Sequence, residues 1–187
     1  MSQRIGVVSI QGDFEKHLDH IRKIGMIGLE IRDPVELVGI DRLIIPGGES
    51  TTVGILMQRF GLGQAIIDQS KNGLPVWGTC MGMIMMAKQI QDRQQYSLGI
   101  LDITVQRNAF GTQIHSFETF VPVKGIQYPV EAAFIRAPIV TEIGEGVEEL
   151  ARVDGKIVAV KQGVLVGTSF HPELTQDTSF LEYFCTL

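Results

Sequence analysis

The segment Gly78-Thr79-Cys80-Met81-Gly82 carries the first residue types that could perform nucleophilic chemistry. It follows the apolar pair Val76-Trp77 and precedes a helical stretch. A cysteine at a sharp strand-to-helix turn, flanked by glycines that leave room for the turn, is typical of a nucleophile elbow. The thiol would lie at a helix N-terminus, where partial positive charge favours the thiolate. The alternative is a buried cysteine that packs beside glycines.

A base and an orienting acid could come from Phe170-His171-Pro172-Glu173. In an extended chain, residues i and i+2 point to the same side, so His171 and Glu173 can meet. Pro172 favours this arrangement because it keeps the preceding residue extended. A carboxylate on one imidazole nitrogen would set the tautomer and leave the other nitrogen facing a nucleophile. The alternative is a strand-ending turn with an exposed acid.

A third segment could supply main-chain donors. The apolar residues 43–45 run into Pro46-Gly47-Gly48-Glu49 and then a helix start. Such a turn exposes N–H groups that can bind an anion or a developing oxyanion. A phosphate-binding loop would require a lysine, whereas Glu49 stands where a cation belongs. An ordinary Gly-Gly turn is the remaining alternative.

All three segments follow predicted strands, and open α/β sheets place their sites at the carboxyl ends of strands. The first half of the chain alternates strands at 5–10, 29–31, 43–45 and 75–77 with helices at 14–24, 50–60, 64–71 and 81–91. The second half predicts strands at 100–105, 117–123, 132–135, 149–153, 157–161 and 164–170 and a closing helix at 176–185. We expect Ser50 or Thr51 to cap the second helix and Thr175 the last. The pattern predicts a mixed sheet, parallel in its first half, with helices on both faces.

Length and composition limit the remaining possibilities. With 187 residues and no internal repeat or linker, we expect one domain over 1–187. The net charge of −5 disfavours a nucleic-acid partner, and no apolar stretch is long enough to span a bilayer. Two cysteines form no disulfide framework, which indicates a reducing compartment and a cytoplasmic location. His17 and His20 are predicted to be surface or interface residues rather than metal ligands.

Several segments together resemble the class I glutamine amidotransferases and, within them, the glutaminase subunit family of pyridoxal 5′-phosphate synthase. The resemblance runs nearly end to end and implies a single-domain, flavodoxin-like α/β fold with a mostly parallel sheet. The matching segments are Ile10-Gln11-Gly12-Asp13, Pro46-Gly47-Gly48-Glu49-Ser50-Thr51-Thr52, Gly78-Thr79-Cys80-Met81-Gly82, Arg107-Asn108-Ala109-Phe110-Gly111, Ser116-Phe117-Glu118, Phe134-Ile135-Arg136-Ala137-Pro138 and Ser169-Phe170-His171-Pro172-Glu173-Leu174. The arginine-containing segments are the most specific to this family.

The resemblance implies a role for each matching residue. Cys80 is the nucleophile, His171 the base and acid, and Glu173 the orienter. The oxyanion donors are the N–H groups of Gly48 and Met81. Glutamine is held by Gly48, Glu49, Ser50, Arg107, Ile135 and Arg136, with Gln11 near the oxyanion site. Glutamine carries an ammonium and a carboxylate, so an acid such as Glu49 and a guanidinium suit it.

The same resemblance implies hydrolysis of L-glutamine and transfer of ammonia to a (β/α)8-barrel synthase subunit in a large hetero-oligomer, with no metal and no cofactor. The sequence departs from the family at Met81, Thr112 and His115, which affects local packing and partner contacts rather than the triad. Three alternatives stay open: another class I amidotransferase, a γ-glutamyl hydrolase, and a non-catalytic protein of the DJ-1 type.

Overall fold

The computed structural model describes residues 2–91, 94–109 and 116–187. The strands of the first half are β1 (Arg4–Val8), β2 (Ile27–Ile31), β3 (Arg42–Ile45), β4 (Val76–Thr79) and β5 (Ala87–Ile90). Those of the second half are β6 (Leu101–Gln106), β7 (Ser116–Val121), β8 (Val130–Ile135), β9 (Ile139–Ile143), β10 (Glu148–Val153), β11 (Lys156–Gln162) and β12 (Leu165–Thr168). The helices are α1 (Phe14–Lys23), α2 (Ser50–Arg59), α3 (Leu62–Lys71), α4 (Met81–Met86) and α5 (Ser179–Phe184), and short 3-10 turns cover Pro34–Leu37 and Pro172–Leu174.

Ten strands form one sheet in the order β2-β1-β3-β4-β12-β11-β9-β6-β5, with β10 paired to β11. Strands β2, β1, β3, β4 and β12 are parallel to one another. Strand β11 is antiparallel to its neighbours β12, β9 and β10. The predicted mixed α/β sheet is confirmed, because helices separate the strands of the first half whereas short turns join most strands of the second.

Both faces of the sheet are covered, as parallel strands require. Leu43 and Ile45 of β3 contribute to one buried apolar cluster, while Ile44 between them contributes to the other. In β4, Val76 contributes to the first cluster and Trp77 to the second. This alternation follows from the two-residue period of a strand, and with both faces covered a site can form where the strands end.

Two predicted elements differ from the structure. The helix predicted over 81–91 ends at Met86, and residues Ala87–Ile90 form β5, which pairs with β6. Alanine, lysine and glutamine favour helix locally, but pairing with β6 outweighs that preference. Strand β9 was not predicted; it lies between β6 and β11, and its pairing across the sheet has no local signal.

The predicted helix caps also need correction. Helix α2 begins after Glu49, whose carboxylate accepts hydrogen bonds from the N–H groups of Thr51 and Thr52, so neither Ser50 nor Thr51 is the cap. Helix α5 begins after Thr178. The Thr175 hydroxyl instead donates to the Pro172 carbonyl at 2.9 Å. Within the described ranges, no helix is long and apolar enough to cross a membrane.

Arg42 at the start of β3 joins the sheet to the last residues of the chain. Its guanidinium is buried and donates to the carbonyls of Phe184 (3.0 Å), Cys185 (2.8 Å) and Leu187 (2.5 Å). The last carbonyls of a helix have few partners inside it, and one arginine here donates to three carbonyls at the end of α5 and beyond it.

We predict that Arg42→Met lowers the free energy of unfolding by about 3 kcal/mol, because buried carbonyls lose a charged donor. The measurement is urea denaturation followed by circular dichroism. Arg22→Met is the matched control: Arg22 is an exposed helical residue that pairs with Asp19, and its loss should cost less than about 1 kcal/mol. Equal effects of the two substitutions would contradict the role given to Arg42.

Candidate active site

Cys80 lies at a sharp turn between β4 and α4. Its φ is 48° and its ψ is −103°, a backbone conformation that residues other than glycine rarely adopt. Gly82 makes this turn possible, because a Cβ there would lie 1.9 Å from the carbonyl oxygen of Ile45. The elbow geometry that the sequence predicts is therefore present, with the cysteine buried at the start of a helix.

His171 and Glu173 meet behind this turn. Strand β12 ends at Thr168, and the His171 N–H donates to the Ala133 carbonyl of β8 at 2.8 Å. The Nδ1 atom of His171 lies 2.8 Å from Oε1 of Glu173. The imidazole lies directly against Gly47, where a Cβ would come within 2.3 Å of its Cε1 atom. The imidazole ring of His171 thus lies between the carboxylate of Glu173 and the backbone of Gly47.

The charges of this pair support each other. Burial by itself lowers the pKa of His171, but hydrogen bonds to the Cys80 and Glu173 side chains outweigh it and raise the pKa to about 10. Burial likewise disfavours a charged Glu173, yet His17 and His171 hold its pKa well below the ordinary value. At neutral pH the site therefore contains an imidazolium beside the cysteine and a carboxylate behind it.

A pocket of about 390 Å³ opens in front of these residues. It is lined by Asp13, Gly48, Glu49, Ser50, Cys80, Met81, Ile84, Arg107, Asn108, Ile135, Arg136 and His171. Nine of the predicted site residues are in this set, while Glu173 lies behind His171. Gln11 does not line the pocket, but its carbonyl oxygen would lie 3.6 Å from a Cβ on Gly48. Asp13, Ile84 and Asn108 were not predicted to have a role in the site.

Glu49 places a fixed negative charge at the pocket. Its two carboxylate oxygens accept from the N–H groups of Thr51 at 3.0 Å and Thr52 at 2.7 Å. These hydrogen bonds, led by the one from Thr52, lower the pKa of Glu49 to about 2. The side chain is exposed on its outer side, so the remaining lone pairs of the carboxylate can accept from a ligand.

Gln95 connects two of the predicted binding residues. Its Oε1 atom accepts from the Ser50 hydroxyl at 3.3 Å and from Nη1 of Arg107 at 3.2 Å. Sequence reasoning missed this residue, because a single glutamine in an irregular segment has no distinguishing pattern. Gln95 holds the α2 side of the pocket against the arginine that follows β6.

The two predicted oxyanion donors line the same pocket. Met81 is the first residue of α4, so its N–H has no acceptor within the helix. Gly48 belongs to the turn that follows β3, opposite the elbow. The methionine side chain at position 81 is buried, and the expected effect of this departure on packing stays a prediction. The other two departures, Thr112 and His115, lie outside the described residues.

The prediction that His17 and His20 lie on the surface or at an interface is wrong. Both side chains are buried against the 3-10 turn that contains Glu173, because α1 turns this face toward the sheet. Nε2 of His20 lies 3.1 Å from the Thr175 carbonyl oxygen, and Nε2 of His17 lies 3.4 Å from Oε2 of Glu173. Among the residues that the structure describes, no group of three or more potential ligands could hold a metal ion.

The fold and the site define the class of protein. A solved structure described as a glutamine amidotransferase superposes with a TM-score of 0.94, with 42% identity over 97% of each chain. The model of the SNO glutamine amidotransferase family matches residues 7–187. The chain belongs to the SNO glutamine amidotransferase family.

Individual relatives agree with this family. The pyridoxal 5′-phosphate synthase subunit PdxT of Niallia circulans is 49% identical over 97% of this chain and 95% of its own length. The subunit of the same name from Herpetosiphon aurantiacus is 50% identical over 98% of this chain and 99% of its own length.

We predict that Cys80 reacts faster with iodoacetamide than Cys185 at pH 7, because the imidazole of His171 lines the same pocket as Cys80 whereas burial raises the pKa of Cys185. In His171→Asn, the rate at Cys80 should fall, because the neighbouring imidazole is lost. Peptide mass spectrometry resolves the two thiols, and equal rates for both in the unsubstituted protein would contradict the pairing.

Proposed function

We propose that this chain hydrolyses L-glutamine to L-glutamate and ammonia with Cys80, His171 and Glu173 as its catalytic residues. The observation that carries the proposal is the 2.8 Å contact between His171 and Glu173 directly behind the pocket that contains Cys80. Membership of a glutamine amidotransferase family supports the same reaction and disfavours a non-catalytic role.

The pocket offers complementary groups for the ends of glutamine. The carboxylate of Glu49 is the acceptor for the α-ammonium, and the guanidinium groups of Arg107 and Arg136, which line the pocket, suit the α-carboxylate. The backbone of Ile135 lies close to the nucleophile, with its carbonyl oxygen 3.9 Å from the Cys80 sulfur. Glutamine bound between these groups would direct its side-chain amide toward Cys80.

In the first half of the reaction, the Cys80 thiolate attacks the amide carbon and the carbonyl oxygen becomes an oxyanion. The N–H groups of Gly48 and Met81 are proposed to stabilise this charge, and one such donor is typically worth about 3–4 kcal/mol. His171 then gives its proton to the departing nitrogen. Ammonia leaves, and a thioester remains on Cys80.

In the second half, neutral His171 takes a proton from water, and the hydroxide attacks the thioester carbon. The carbon–sulfur bond breaks, glutamate leaves, and the thiolate–imidazolium pair is restored. Throughout both halves, Glu173 keeps Nδ1 of His171 protonated, so that Nε2 is the atom that exchanges the proton with substrate and water.

We further propose that the ammonia passes to a synthase subunit that builds pyridoxal 5′-phosphate. The names of the relatives support a pyridoxal 5′-phosphate synthase complex, and the resemblance of the sequence suggests a (β/α)8-barrel partner in a large hetero-oligomer. Pyridoxal 5′-phosphate would be the product of that complex rather than a cofactor of this chain. Cys80 and Cys185 are both free thiols, which supports a reducing compartment such as the cytoplasm.

We predict that Cys80→Ala abolishes glutamate release, because it removes the proposed nucleophile, while the circular dichroism spectrum stays that of the unsubstituted protein. The measurement is glutamate formation from glutamine with the purified synthase partner. Cys185→Ala is the matched control and should keep full activity, since Cys185 lies in the last residues of the chain. Glutamate release by Cys80→Ala at the original rate would refute the assignment.

A second prediction concerns the partner. Glutamine hydrolysis by the isolated chain should be weak and should rise when the synthase subunit is added, as the resemblance to this family implies. Titration of the chain with the synthase, with glutamate formation as readout, measures the effect. Equal turnover with and without the synthase would contradict activation.

A further inference from the structure

The two carboxylate oxygens of Glu173 have different surroundings. Oε1 accepts the hydrogen bond from His171, whereas Oε2 has no hydrogen-bond partner among the described residues and is sealed from solvent. The side chain of Glu173 is 0% exposed. The polar atom that approaches Oε2 is Nε2 of His17, at 3.4 Å, and the side chain of His17 is itself only 3% exposed. Burying a carboxylate oxygen is costly unless a donor faces it. Nε2 of His17 lies where such a donor is required.

His17 reaches the site from a different part of the chain. It lies in the first turn of α1, which packs against the 3-10 turn Pro172–Leu174. Its Nε2 atom also lies 3.3 Å from the hydroxyl oxygen of Thr79, the residue before the nucleophile. The edge of the ring meets the face of Trp77 with centroids 5.8 Å apart. His17 therefore contacts both the strand that carries Cys80 and the carboxylate behind His171.

The chemistry of the contact assigns its proton. A carboxylate can only accept, so a hydrogen bond across this contact requires the hydrogen of His17 to lie on Nε2. That N–H then faces Oε2 of Glu173 and the Thr79 oxygen together. A donor on Oε2 prevents the carboxylate from rotating about its last bond, and this rotation would otherwise move Oε1 out of line with His171.

We propose that His17 is a positioning residue for the glutaminase reaction, in which its Nε2–H holds Oε2 of Glu173 so that Oε1 stays aligned with Nδ1 of His171. The inference rests on the proposed function and extends its triad by one member, to His17–Glu173–His171–Cys80. His17 does not line the glutamine pocket, so it acts on the reaction and not on substrate binding.

Other charged groups of α1 lie on the outer side of the 3-10 turn. His20, Lys16, Asp19 and Lys23 line a cavity of about 190 Å³ there, together with Glu173. His20 bonds to the Thr175 carbonyl, and burial lowers its pKa. His20 is thus a matched control, being a buried histidine on the same helix without contact to Oε2.

The test compares His17→Gln with His17→Asn in the full-length chain. The glutamine amide nitrogen reaches about as far as Nε2 of histidine, whereas that of asparagine falls short by one methylene group. The first readout is the rate of Cys80 alkylation by iodoacetamide from pH 5 to 10, with Cys185 as the internal reference. The second is kcat and KM for glutamine in the complex with the synthase. His20→Asn controls for the effect of asparagine on α1.

We expect His17→Asn to lower the Cys80 alkylation rate at pH 7 and kcat by about tenfold, the usual effect of losing a group that holds a functional side chain. The acid limb of the alkylation profile should move up by about one pH unit, because a loosely held carboxylate stabilises the imidazolium less. KM should be unchanged. His17→Gln should recover most of the rate, and His20→Asn should match the unsubstituted protein.

The possible failures are distinct. If Cys80 of the unsubstituted chain is no more reactive than Cys185 at pH 7, the catalytic triad itself is refuted, and this inference with it. If Cys80 is reactive but His17→Asn leaves its pH profile and kcat unchanged, only the role of His17 is overturned. Equal loss in the glutamine and asparagine variants, or a loss in His20→Asn of the same size, also overturns it. Circular dichroism of each variant shows that the compared chains are folded.

Discussion

The active site depends on one buried ion pair, between the imidazole of His171 and the carboxylate of Glu173. A carboxylate removed from water is unfavourable unless donors surround it, and here the imidazole of His171 lies 2.8 Å from one of its oxygens and that of His17 lies 3.4 Å from the other. The same contact determines which nitrogen of His171 faces the pocket. The tautomer of His171 therefore follows from the need to satisfy this one carboxylate.

The sheet brings the partners of this pair together. Strands β3, β4 and β12 are adjacent and parallel, so their carboxyl ends meet at one edge. The Gly-Gly turn, the cysteine elbow and the histidine each follow one of these ends. Because the strands are held by main-chain hydrogen bonds and buried on both faces, the three segments are fixed before any substrate arrives, which is the arrangement that lowers the cost of reorganisation during a reaction.

Features encoded by neighbouring residues could be predicted from the sequence. The elbow at Cys80 is visible in its flanking glycines, and the meeting of His171 with Glu173 follows from their spacing of two residues. The alternation of strands and helices in the first half predicted the parallel part of the sheet. These predictions depend on local geometry, because a spacing of two residues or a glycine beside a turn is compatible with few backbone conformations.

Features that depend on distant contacts could not be predicted. The spacing of His17 and His20 indicates one face of a helix, but it does not say that Glu173 lies across from that face. Residues 87–90 have good helix formers and become a strand only because β6 is available for pairing. The cap at Glu49 was not predicted, because Ser50 and Thr51 are residue types that cap helices more often. The position at which the turn after β3 ends decides which residue is the cap.

Three of the four described residues other than glycine with a positive φ line the pocket, namely Cys80, Asn108 and Arg136. Such a conformation carries an energetic penalty that a glycine would relieve. Selection for heat resistance alone would therefore favour glycine at these positions, while the proposed reaction uses the side chains of Cys80 and Arg136. Thermal stability and activity therefore place opposite demands on these residues. Variants with a higher melting temperature would have to gain their stability from substitutions elsewhere in the molecule.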